Sequence, residues 1–256
     1  MIVDTHTHLD HPKFYKDLEE VIERAKKAGV KRFIIPGADP LDLPRAMELA
    51  ERYDEIYFAV GVHPYDIAGY DRLVIQETAK HPKCVAIGEC GLDYYRLPKD
   101  EKEKEKTKEL QKEVFREQIE LAKELELPLI VHIREASADA LELLQKHSGP
   151  KGGVLHCFNA SPILLDLQDR FYYGIGGVLT FKNAKKLVEI LPKIPIERIL
   201  IETDAPYLTP HPYRGKRNEP ACTPYVAQKI AELLGRSYDE VCEQTTKNAR
   251  TFFTIH

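Results

Sequence analysis

The sequence predicts an α/β fold, a (β/α)8 TIM barrel with extra C-terminal helices. Three observations lead there. Eight short, β-branched apolar runs recur along the 256 residues. Each is followed by a turn or an amphipathic stretch. No Pro/Gly/Ser-rich linker and no repeat of fixed period divides the chain, so residues 1–256 read as one domain. Strands alternating with helices imply a parallel sheet with right-handed crossovers. Eight such units at this length favour a closed barrel over an open doubly wound sheet, the alternative that periodicity leaves open.

In chain order the runs are IVDTH (2–6), KRFIIPG (31–37), IYFAVGV (56–62), CVAIGE (84–89), PLIVHI (128–133), GVLHC (153–157), FYYGIGG (171–177) and RILIETD (198–204). After the first, FYKDLEEVIERAKKAG puts Leu18, Val21, Ile22 and Ala25 on one helical face and stops at Gly29. After the fourth comes PKDEKEKEKTKELQKEVFREQIELAKELEL, with Glu/Lys pairs at i,i+3 (Glu101/Lys104, Glu103/Lys106, Glu105/Lys108) and an amphipathic pattern from Leu110 onward. It reads as a long helix with solvated, salt-bridged first turns. Its alternating signs nearly cancel, which disfavours a nucleic-acid arm. The tail, 224–253, reads as two further helices outside the barrel.

Composition excludes more than it names. Hydrophobic residues make up 43% and charged residues 30%, ordinary for a globular protein with a sizeable core. A net charge of −4 argues against a general duplex-DNA binder, but permits an enzyme that grips one or two phosphates. No apolar run approaches the roughly 18 residues of a membrane span, and Asp4 and His6 interrupt any signal-like N-terminus. The five cysteines show no CxxC spacing, so reduced thiols and a cytoplasmic location are expected. Nothing implies a membrane or an obligate protein partner.

Five of the ten histidines, His6, His8, His63, His132 and His156, fall at or just beyond the C-terminal ends of the runs. Glu89 and Asp204 join them there. In a (β/α)8 barrel that rim is where catalytic groups converge. Residues i and i+2 of a strand share a face, so His6 and His8 project together. Imidazoles and carboxylates are ligands for divalent metals, and this set is large enough for two ions with Glu89 shared between them. A lone His-x-His is more often structural. Single-residue alternatives exist for the others too, such as a turn for His63-Pro64 or an N-cap for Asp204. One metal site accounts for all seven together. Asp4 and Glu202 lie two residues before His6 and Asp204. Alternation turns both inward beneath the metals, where a buried carboxylate needs hydrogen bonds, so both are expected to orient histidines, a lysine or an arginine.

The chain resembles the TatD-like metal-dependent hydrolases, among the amidohydrolase-like barrels. The matching segments are VDTHTHLD (3–10), GVHP (61–64), GECGLDYYR (88–96), VHIRE (131–135), HCF (156–158), GIGG (174–177), ETDAPYL (202–208), RGKRNEP (214–220) and TKNARTFF (246–253). The resemblance implies two divalent-metal positions, one held by His6, His8, Glu89 and Asp204 and the other by Glu89, His132 and His156. It also implies a deoxyribonuclease, 3′→5′ on single-stranded DNA, with Mg2+ or Mn2+ supporting activity. Some relatives instead remove D-amino acids from mischarged tRNA. Cys90 and the long Glu/Lys segment at 99–109 depart from the family pattern without touching a proposed ligand.

The expected reaction is therefore hydrolysis by a metal-activated hydroxide at a dinuclear site. Asp204 is the candidate proton acceptor, and His63 a non-ligand that contacts phosphate or orients water. Arg134, two residues past His132, and Arg214, Lys216, Arg217 and Asn218 after the eighth strand are candidate phosphate donors. Tyr94, with Tyr95 and Arg96, is a candidate for base stacking. Single-stranded DNA ends and D-aminoacyl-tRNA are the two substrates to separate, since the same site suits phosphorus or carbonyl carbon. A non-catalytic metal-bound scaffold and an amidase or deaminase are weaker alternatives. Histidine-rich donor sets favour Mn, Fe, Co, Ni or Zn over Mg, so Zn2+, Fe2+ or Ni2+ are possible bound ions.

Overall fold

The computed structural model describes residues 1–256. Every expected run forms a strand: β1 Ile2–Asp4, β2 Val30–Ile35, β3 Ile56–Val60, β4 Cys84–Asp93, β5 Leu129–Arg134, β6 Gly153–Leu155, β7 Phe171–Ile175 and β8 Ile199–Ile201. They pair in parallel in the order β1 to β8. The seam between β1 and β8 closes just past their ends, where Thr5 N–H donates to Ile201 O at 3.1 Å, His8 N–H to Ala205 O at 2.8 Å and Asp204 N–H to His6 O at 2.9 Å. The helices are α1 Leu18–Lys27, α2 Leu43–Arg52, α3 Arg72–Thr78, α4 Glu101–Glu124, α5 Ser137–His147, α6 Lys185–Ile190, α7 Thr223–Leu234 and α8 Tyr238–Phe253. None is long and apolar enough to cross a membrane.

Local chemistry starts and stops these helices. Asp100 caps α4 by accepting from Lys102 N–H and Glu103 N–H, and Ser237 and Glu240 form a reciprocal capping box at α8. Gly235 ends α7 in the left-handed conformation that a side chain disfavours. The α4 lysines and glutamates pair three residues apart along the exposed first turns, as at Lys104–Glu101 and Lys108–Glu105. These turns are a solvated helix face.

Period-two alternation builds the barrel from two apolar layers. Ile2, Phe33, Phe58, Val131, Leu155 and Ile201 pack outward against the helices. Val3, Ile34, Ala59, Ile130, Val154 and Leu200 form a second cluster with Ala249, Phe253 and Ile255 from the end of the chain. That second cluster is the barrel floor. The next inward positions above it are His132 on β5, His156 after β6 and Glu202 after β8. The floor is apolar, and the polar groups gather at the other end.

Candidate metal centre

Most ligand-bearing residues lie just beyond their strands. β1 ends at Asp4, and the chain bends at Thr5 and His6. Thr7 then pairs again with Ala205, and its N–H donates to Ile34 O at 3.0 Å, which sets His6 and His8 against the seam. Cys157 and Asp204 hold left-handed backbone, φ 43° and 57°, as the chain turns out of β6 and β8. β4 instead continues through Glu89 to Asp93, with a register shift against β5 between Ile87 and Cys90. Gly91 makes that passage possible, because a Cβ there would sit 1.9 Å from His132 O.

Glu89 is the hub. Its Oε2 lies 3.2 Å from His6 Nε2, while Oε1 lies 3.0 Å from His132 Nδ1, 3.7 Å from His63 Nε2 and 4.0 Å from His156 Nε2. Asp204 Oδ1 is 3.4 Å from His8 Nε2, 3.9 Å from His6 Nε2 and 4.0 Å from His156 Nε2. The rings of His6 and His156 stack with centroids 3.4 Å apart. The nitrogens and oxygens of His6, His8 and Glu89 fall within 4.8 Å of one another, as do those of His63, Glu89 and His132. The chain thus carries histidine–glutamate clusters able to hold metal ions.

Two buried carboxylates stand behind these rings. Glu202 Oε1 accepts from Cys157 N–H at 2.6 Å and sits 3.0 Å from His156 Nδ1, bent away from the ideal hydrogen-bond line. Its place exists because position 174 is glycine: a Cβ there would come within 2.3 Å of Glu202 Oε2. Asp93 Oδ2 lies 2.9 Å from His132 Nε2 and turns the other nitrogen of that ring, Nδ1, toward Glu89. Asp4 differs from expectation. It is fully buried but reaches no histidine ring, lysine or arginine. It accepts from Thr203 N–H at 2.9 Å, Thr203 hydroxyl at 2.6 Å and His6 N–H at 3.4 Å. The bend at Thr5–His6 breaks the alternation, so Asp4 fastens the β1–β8 seam. Burial pushes its carboxyl up to about 8.

The carboxylates fit a cation, and an ion at His156 would have to displace its proton. Burial would raise Glu89, but His6, His156 and His132 hold it well below the ordinary carboxylate value. Burial likewise works against Asp204, which the His8 hydrogen bond and the other imidazoles hold down. Burial takes His63 down to about 4. His156 rises against its burial to about 10 because Glu202 and Glu89 flank it. Most telling is His6, which is 1% exposed with neither ring nitrogen in a hydrogen bond. A buried polar atom left unpaired is costly, and a lone pair given to a divalent ion removes that cost.

His63 packs against His132, with ring centroids 4.4 Å apart, but its tautomer sets its role apart. Its Nδ1 accepts from Tyr65 N–H at 3.1 Å, so the neutral ring carries its proton on Nε2, the nitrogen facing Glu89. Two acids in this centre escaped sequence reasoning. Asp93 shares the β4 face of Glu89 at i+4, and Asp10 continues the His6, His8 spacing. Asp10 is 4% exposed and its carboxyl is pushed up to about 6 by burial. Period-two spacing was the available signal for both.

The loops correct three expected substrate contacts. Tyr94 turns away from the rim and donates its hydroxyl to Asp139 at 2.6 Å, packed between α4 and α5. Arg217 faces α1, bonding Asp17 at 2.6 and 2.8 Å and Glu219 at 2.7 Å over the Phe14 ring. Asn218 is 0% exposed, and its amide is consumed by Thr203 O, Tyr207 O and Glu219 N–H. These side chains shape the loops. Arg134 is exposed, its guanidinium 3.6 Å from the ring centroid of Tyr95. Arg214 and Lys216 are exposed too, beside the rings of Phe181 and Tyr213.

Comparison with known proteins agrees with this architecture. The sequence pattern of the TatD related DNase family matches residues 3–254. The uncharacterized metal-dependent hydrolase YabD of Bacillus subtilis (strain 168) is 47% identical, with both chains covered completely. A 3'-5' ssDNA/RNA exonuclease TatD of Erwinia tasmaniensis is 36% identical over 98% of this chain and 99% of its own. The crystal structure of YJJV, a TatD homologue from Escherichia coli K12, superposes with a TM-score of 0.88 at 31% identity, covering 100% of this chain and 98% of that one. Full-length sequence match, barrel and clustered donors agree, and the chain belongs to the TatD related DNase family of metal-dependent hydrolases.

Proposed function

We propose that the protein is a metal-dependent phosphodiesterase that removes nucleotides from the 3′ end of single-stranded DNA, using two divalent ions. The observation that supports it best is Glu89, whose two oxygens face different groups of histidines, the placement a carboxylate shared by two ions needs. The substrate class comes from relatives named 3'-5' ssDNA/RNA exonuclease TatD in Erwinia tasmaniensis and Salmonella typhimurium, each 36% identical. His6, His8, Glu89 and Asp204 would hold one ion, and Glu89, His132 and His156 the other. When bound, such ions supply Lewis acidity at the phosphoryl oxygen and lower the pKa of water. Mg2+ or Mn2+ would support activity, while the histidine-rich donor set favours Mn2+ over Mg2+ and would also take Zn2+, Fe2+ or Ni2+.

The chain's own residues do the rest. Glu202 and Asp93 fix the orientation of His156 and His132. Asp204 stays ionised despite its burial and would accept the proton that water loses on attack. His63 is neutral with its proton at Nε2, so it donates to a phosphate oxygen or to the attacking water and does not ligate. Arg134, Arg214 and Lys216 are the exposed cations available to the substrate backbone.

The test is a single-turnover assay on metal-loaded protein with a 5′-labelled single strand and, in parallel, a D-aminoacyl-tRNA. A ladder of strands shortened one nucleotide at a time, absent with Glu89→Ala, is the expected result. Release of the amino acid from intact tRNA would replace the substrate and keep the site. Turnover of either by Glu89→Ala at the wild-type rate would overturn the role of Glu89.

A further inference from the structure

A cleft of about 600 Å3 lies beside the metal centre, walled by the loops after β5 and β6 and by α6. It begins where the centre ends. Arg134 lines it and is the next inward position on β5 after His132, about 7 Å farther along the strand. Asn159 and Ala160 line it three and four residues past His156. Glu135 and Ala160 hold left-handed backbone, φ 55° and 59°, in the two loops that face each other across it. Such conformations are unfavourable for residues with side chains and cluster at ligand clamps.

The neutral polar groups of the cleft are used by the loops themselves. Asn159 donates to Ile133 O and Ser137 Oγ at 3.2 and 3.0 Å and accepts from Ser161 N–H at 3.0 Å. The cations are not used. On α4 and α7 several lysines three residues from a glutamate close ion pairs, as at Lys108–Glu105 and Lys229–Glu232, although Lys102 and Lys106 close none. On α6 Lys186 has Glu189 at that same spacing, yet Lys186, Lys193 and Arg134 pair with no carboxylate, although Glu135 and Glu189 also line the cleft. The cleft is net positive in a chain of net charge −4. At its mouth, Arg134 stacks on Tyr95, a ring 54% exposed.

We propose that this cleft is a second phosphate subsite, which carries the backbone of a single nucleic-acid strand on the 5′ side of the bond held at the metal centre. Lys186 and Lys193 contact its phosphates. The Arg134–Tyr95 pair receives an unstacked base, a contact that only a single strand offers. The identity of the occupant rests on the phosphodiesterase reading, but its capture needs no catalysis.

Fluorescence anisotropy with a labelled twelve-nucleotide thymidine strand, its linkages phosphorothioate to resist cleavage, tests this on the full-length, metal-loaded protein. Lys186→Gln/Lys193→Gln is expected to raise the Kd about tenfold. It should also flatten the slope of log K against log salt by about 1.4, the equivalent of two lost phosphate contacts on a single strand. Lys185→Gln, an exposed α6 lysine outside the cleft, is the control and should match wild type. A twelve-base-pair duplex should bind more weakly. Absent wild-type binding, an unchanged slope in the double variant, an equal effect of Lys185→Gln or equal duplex binding would each overturn the subsite. Wild-type, metal-loaded protein is also assayed on a small phosphodiester. Failure there would overturn the phosphodiesterase reading while anisotropy still decides the cleft.

Discussion

Glu89 and the residues behind the histidines do different work, and substitution separates them. Glu89 faces two groups of histidines directly, one through each oxygen. Glu202 and Asp93 act through His156 and His132, by holding one ring nitrogen so that the other faces the centre. Loss of such a supporting carboxylate weakens metal binding by about 10–100-fold and leaves the ligands in place. Glu202→Gln is therefore expected to lower Mn2+ affinity by that factor, with turnover restored by excess metal. Gly174→Ala should do the same, because its Cβ claims the space of the Glu202 carboxylate. Glu89→Ala should not be rescued. Titration calorimetry with Mn2+ decides it, and wild-type affinity in both supporting variants would remove Glu202 from this role. At this scale the sequence was legible where alternation ran unbroken along a strand, as at His132, and not at Asp4, where the bend at Thr5–His6 breaks it. It was not legible for Arg217, whose partner Asp17 lies 200 residues away, or for Asn218, bonded to Thr203 O, 15 residues before it.

The elements show the same division. All eight strands could be located from β-branched runs, because a barrel wall buried on both faces has to be apolar. Their ends could not, since the backbone leaves the ladder where loop bonds take over, as at Asp204 and Cys157. β4 does the opposite and stays in the ladder four residues past Glu89, because Gly91 allows close approach to β5, and a reading that stops at the acid stops short of Asp93. The loop after β8 is held to α1 by Arg217, Asp17, Glu219 and Arg24. Arg217→Ala should lower stability by about 1 kcal/mol, the value of a partly exposed ion network, and Tm by about 2–4 °C. It should leave the KM for single-stranded DNA unchanged, and a several-fold rise would restore Arg217 to substrate binding. The sign with pH follows from the carboxyls. The Arg217 hydrogen bond holds Asp17 below its ordinary value, and Arg24 and Arg217 hold Glu219 down against its burial. Groups depressed on folding contribute stability above their unfolded pKa and lose it as pH falls through the folded value. The Tm gap between wild type and Arg217→Ala should be full at neutral pH and close in acid, below the ordinary carboxylate range.

Across the whole molecule, the metal centre collects side chains from the ends of β1, β3, β4, β5, β6 and β8, and these ends meet nowhere else. The floor beneath is apolar and closed by Phe253 and Ile255, so stability below the rim does not depend on the centre. Above it, the charges are concentrated: ionised Glu89 and Asp204 face crowded imidazoles, and His6 is left with two unpaired nitrogens. A ligand that binds only the folded chain adds RT ln(1 + [L]/Kd), about 2.7 kcal/mol at a hundredfold excess over Kd. For a chain of this size that corresponds to a rise of about 5–10 °C in Tm. Calorimetric scans of metal-stripped protein with and without Mn2+ should show that rise, and EDTA should reverse it. Glu89→Ala should show little of it, since the shared carboxylate is gone, while Arg217→Ala should show all of it from a lower starting point. A Tm indifferent to Mn2+ in the wild type would mean that the clustered donors satisfy one another without a cation.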